Sequence, residues 1–115
     1  MEYKVISTAY LESITGGDPG IIEEIVTIFK GQVPEFTNEM TDLYKKEAYY
    51  DLGLLAHKAK SSVAVMGMES TAVMLKTFEL QAKAGANKEA NQGYIDQFIS
   101  DTTQALNELN QYLGK

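Results

Sequence analysis

Hydrophobic and polar positions recur along this chain with a period near 3.6 residues, so the elements it predicts are helices. A short first helix is expected over 8–14, with Ser7 as its N-cap and Gly16-Gly17 ending it. Asp18-Pro19 then opens a second helix, with Asp at the N-cap and Pro in the first turn. Its expected apolar face runs Ile21, Ile25, Ile28, Phe29, Phe36, Met40 and Leu43. Pro34 lies inside that run and is expected to kink it near Lys30-Gly31, because it removes a hydrogen bond and crowds the preceding turn. A third helix is expected over 50–66, stopped by a left-handed Gly67, and a fourth over 70–84, stopped by Gly85. The last helix carries Ile95, Phe98, Ile99, Thr102, Leu106, Leu109 and Leu113 at i, i+3/i+4 spacing. Connections this short require antiparallel neighbours. The pattern therefore predicts an all-α fold: an antiparallel up-down four-helix bundle with a short additional N-terminal helix, as one domain over 1–115.

Composition narrows the function classes. Apolar residues make up 44% of 115 residues, enough for a single core and too many for a disordered chain. There is no cysteine, so disulfides and thiolate metal sites are excluded. The start, Met1-Glu2-Tyr3-Lys4, does not read as a signal peptide, and no apolar run approaches a membrane span. A cytoplasmic protein with no membrane partner is the expectation. The net charge is −6 and the basic residues are all lysine, which argues against a nucleic-acid partner.

The informative segment lies on the third helix and holds the single histidine, in Leu54-Leu55-Ala56-His57-Lys58-Ala59-Lys60-Ser61-Ser62. On a helical wheel Leu52, Leu55, Ala59, Ser62, Val63 and Met66 fall opposite His57 and form the core side. His57 therefore points outward. Its neighbours on that face are Gly53, Leu54, Lys60 and Ser61, with Tyr50, Ala64 and Met68 a turn further. Gly53, Ser61 and Ala64 are small and leave room for a partner; Leu54, Ala64 and Met68 would give it apolar surface. A second reading of the same residues stands beside this one. An exposed histidine is an ordinary surface residue, Gly53 also fits a close helix crossing, and Leu54 also fits the rim of a core.

Imidazole is partly neutral and nucleophilic near neutral pH. Lys60, three residues on, is within reach of a phosphoryl group on such a ring, and Lys58 less directly; cations there offset charge on transferring phosphoryl oxygens. Both lysines also fit ordinary solvated helix charge. No metal site is expected, because there is no second histidine and no Glu-x-x-His pair. Nor is there a glycine-rich phosphate loop after a strand. No cofactor is expected, and an outward histidine on a bundle helix offers no pocket for an acyl substrate.

These residues resemble the histidine-containing phosphotransfer (HPt) domain family. His57, Lys60 and the helix-ending Gly67 match its pattern, Ala59 is a smaller version of its aliphatic position, and Ser61 replaces its usual glycine. Asp18, Ile21 and Phe29 resemble its acidic-start helix, and Phe78-Glu79 its Leu-Glu pair on the following helix. The resemblance covers about 10–113. It implies a monomeric phosphocarrier, not an enzyme, with no ATP site. His57 would accept a phosphoryl group from the aspartyl phosphate of a response-regulator receiver domain, or of a hybrid histidine kinase, and pass it to another receiver. It further implies that Lys60 pairs with the phosphoryl group and that Glu79 approaches the His57 ring. The competing expectation is a helical module that binds a partner without phosphotransfer.

Overall fold

In a computed structural model, residues 3–85 and 88–114 are described. The fold is all-helical: α1 (Thr8–Thr15), α2 (Pro19–Lys45), α3 (Tyr49–Val65), α4 (Glu69–Ala84) and α5 (Asn91–Leu113), with a single 3₁₀ turn at Lys88–Ala90. Among the described residues there is no strand, and no helix is long and apolar enough to cross a membrane.

The local chemistry of the sequence sets most boundaries. The Ser7 hydroxyl accepts from the Tyr10 N–H at the start of α1, and Gly16 closes that helix in the left-handed region. The Asp18 carboxylate accepts from the N–H groups of Gly20 and Ile21, with Pro19 following it. Gly67, at φ +72°, turns the chain from α3 into α4. A Cβ there would lie 2.5 Å from that of Ser7, so the glycine also admits the N-terminal segment over this turn. The Ser7 N–H donates to the Met66 carbonyl across it.

The helices share one hydrophobic core. α3 and α4 make the most extensive pairing, α2 lies against α3 and α5, α4 against α5, and α1 against α2. Phe29, Phe78 and Phe98 are its largest fully buried side chains.

Two expectations need correcting. First, α2 buries Ile22, Val26, Phe29, Val33 and Met40, while Ile21 and Ile28 are exposed and Ile25, Phe36 and Leu43 only partly covered. The helix is apolar over a wide arc, and its packing on both α3 and α5 selects the stripe next to the isoleucines. The expected kink near Lys30-Gly31 does not end the helix, and α2 continues through Gly31 and Pro34. Pro34 is exposed, so the carbonyl it deprives of a donor is on the side facing water. Second, Ile99 of α5 is exposed, and the buried positions include Ala105 and Glu108. The Glu108 carboxylate accepts from the backbone N–H groups of Lys4, Val5 and Ile6 and from the Gln104 amide. It thereby ties the N-terminal segment to α5.

Candidate functional site

The site is set by which residues α3 must bury. Leu52, Leu55, Ala56, Ala59 and Val63 go into the core. That leaves Tyr50, Leu54, His57, Lys58, Ser61 and Ala64 exposed, with Lys60 half-buried. The wheel puts six of them, Tyr50, Leu54, His57, Lys60, Ser61 and Ala64, on this outer face.

Two residues expected on the outer face are elsewhere. Met68 is fully buried. The wheel fails there because Gly67 takes the chain out of the helical path, so position 68 no longer follows the α3 spiral. Gly53 is buried beneath α4: a Cβ would lie 2.6 Å from Lys83 Cγ and 2.9 Å from the Glu79 carbonyl oxygen. It permits close approach of two helices, not docking of a partner. Leu54, Ser61 and Ala64 are exposed, as expected. Ser61 lines a groove of about 350 Å³ between α2 and α3 with Ile25, Ile28 and Val65, and Ala64 lines a separate groove with Ser7, Tyr10 and Ala72.

The close α3–α4 approach brings Glu79 under the histidine. Its Oε1 lies 3.1 Å from His57 Nδ1, and its Oε2 accepts from Lys83 Nζ at 2.8 Å. The His57 side chain is 56% exposed and that of Glu79 11%, so a solvent-facing ring rests on a nearly covered carboxylate. The Lys83 hydrogen bond holds the Glu79 carboxyl below its ordinary value; burial opposes this, and the contact with His57 adds to it. A carboxylate only accepts, so Nδ1 carries the proton and donates. In the neutral ring Nε2 is then the unprotonated atom, and it has no partner among the described residues.

Lys58 and Lys60 also lack an ion-pair partner among the described residues. Two free cations thus flank an accessible, oriented imidazole. Lys83 was not singled out by sequence reasoning. The available signal is its i, i+4 spacing from Glu79, the favourable order for an acid–base pair on one helix face. Among the described residues no cluster of three or more His, Cys, Asp or Glu could hold a metal ion. Comparison of the chain with protein-family models, with curated proteins and with solved structures returns no match.

Proposed function

We propose that this protein is a phosphocarrier of the HPt type, with Nε2 of His57 as the phosphoryl acceptor. The observation that carries the reading is the Glu79 carboxylate 3.1 Å from Nδ1 beneath an exposed ring. It orients the imidazole and leaves the outer nitrogen with a lone pair. The fold supports it too: α2 to α5 read as an antiparallel up-down four-helix bundle, with α1 as a short addition.

In the transfer step the Nε2 lone pair attacks phosphorus in an aspartyl phosphate. The N–P bond forms, the P–O bond to the acyl group breaks, and its electron pair leaves on the aspartate carboxylate. The proton stays on Nδ1, and the positive charge that develops on the ring lies against Glu79. Lys60, with Lys58 further round, offsets charge on the phosphoryl oxygens. The reverse step passes the group to a second aspartate. The partners are response-regulator receiver domains and a hybrid kinase, in the cytoplasm, docking over Leu54, Ser61 and Ala64. The carrier has no ATP site and acts as a monomer.

The test is transfer from a phosphorylated receiver domain, or from phosphoramidate. The expected label is acid-labile and alkali-stable, and His57→Gln removes it while keeping helical content. A parent chain that stays unlabelled across donors, or a His57→Gln chain that still labels, would overturn the proposal.

A further inference from the structure

The geometry points to Lys83 as a positioning residue that fixes the His57 tautomer through Glu79, seated in the gap that Gly53 leaves between α3 and α4. This rests on the carrier reading for its consequence, though not for its geometry. Among the described residues, Glu79 is the side chain that hydrogen-bonds Nδ1. A glutamate carboxylate has free torsions, and a single hydrogen bond to a half-exposed ring is a weak restraint on it. Lys83 supplies the second restraint. Its ammonium holds Oε2 at 2.8 Å, closer than Oε1 lies to the ring, which turns the other oxygen toward α3.

Gly53 is what lets the lysine do this. The nearest atom to the space its missing Cβ would fill is Lys83 Cγ, followed by the Glu79 carbonyl oxygen. The aliphatic stem therefore lies along the α3 backbone, and the side chain as a whole is only 30% exposed. A lysine free to extend into water would gain rotamer entropy and leave Glu79 with one partner. The contact chain thus runs Gly53, Lys83 stem, Lys83 ammonium, Glu79, Nδ1. Its product is a ring whose attacking nitrogen carries no proton.

The chain has one histidine, so its ring nitrogens are resolved without assignment ambiguity. The experiment is ¹⁵N NMR of the full chain at about pH 9, where an ordinary imidazole is neutral, on the parent, Lys83→Met and Lys83→Arg. Lys83→Met keeps a long stem over Gly53 and removes only the charged donor. The parent and Lys83→Arg are expected to hold the proton on Nδ1, and Lys83→Met to shift it toward Nε2, the form free histidine favours. Phosphoramidate labelling of Lys83→Met should slow roughly tenfold, the low end for losing a partner that orients a histidine. A Lys83→Met ring that keeps its proton on Nδ1 overturns the inference, whatever the rate does. A parent ring protonated on Nδ1 that shifts in Lys83→Met but never takes label sustains the positioning chain and sinks the carrier reading instead.

Discussion

Glu79 and Glu108 are both buried carboxylates on helices that face the core, and they are put to different uses. Glu108 binds three backbone N–H groups of the N-terminal segment and an amide one turn away. Its partners are fixed peptide groups, so its role is to hold chain to chain. Glu79 binds two side chains, an imidazole more than half exposed and an ammonium at the edge of α4. Its partners can exchange protons or move, which suits the orienting role that the proposed phosphocarrier gives it. The same residue type is a structural clamp where backbone groups surround it, and is available for chemistry where titratable side chains do.

That contrast can be broken most forcefully at Glu108. Glu108→Ala leaves three amide donors without an acceptor and should cost about 3 kcal/mol, read from the urea midpoint by circular dichroism. Hydrogen exchange at Val5 and Ile6 should quicken, while phosphoramidate labelling of the folded protein stays at the parent rate. A labelling defect as large as the stability defect would erase the distinction between the two glutamates.

Glu79→Gln should show the reverse balance. Its ion pairs are partly open to solvent, so the stability change should stay below about 1 kcal/mol. Labelling should fall roughly 10- to 100-fold, because the ring loses a charged acceptor at Nδ1. Full activity in Glu79→Gln would remove the carboxylate from the mechanism.

Acid should sharpen the comparison by reading both groups at once. Burial pushes the Glu108 carboxyl up, but its amide and backbone donors outweigh this and leave it below the ordinary 4.5. The Lys83 hydrogen bond does the same for Glu79, from the same ordinary value of 4.5. Both pKa values are lower in the folded chain than in the unfolded one. Their stabilisation is therefore fully present above about pH 4.5 and is lost as pH falls through the lowered folded values. The urea midpoint should hold near neutrality and decline on the acid side. Glu108→Gln should flatten that decline more than Glu79→Gln does, and equal flattening would mean that the two carboxylates are held alike.

The smallest effect is expected at Ala64. Ala64→Leu adds surface on an exposed position and should change stability by no more than about 0.5 kcal/mol, while weakening the proposed binding of a receiver domain. Gly53→Ala, on the buried side, should cost about 1–3 kcal/mol because its Cβ meets Lys83 and the α4 backbone. Equal stability of the two variants would return Gly53 to the outer face.

These cases mark what the sequence made legible. Ser7, Asp18, Gly16, Gly67 and Gly85 announce helix ends, because capping depends on a few adjacent residues. The outward side of α3 is legible because the opposite flank is apolar at every position but Ser62. The inner stripe of α2 is not, because Ile21 and Ile22 are equally apolar and only tertiary packing chooses between them. Gly53, Met68, Glu108 and Lys83 each depend on a neighbour distant along the chain or on the spiral ending at a turn, and a wheel drawn for one helix contains neither.

The central claim is that Glu79 reserves Nδ1 and leaves Nε2 to take the phosphoryl group. It is tested most directly by ³¹P and ¹⁵N NMR of the phosphoramidate-treated chain. The account predicts one phosphoryl group, on Nε2 of His57, with Nδ1 still bearing its proton. Phosphorus on Nδ1, or a ring that takes none, would contradict it.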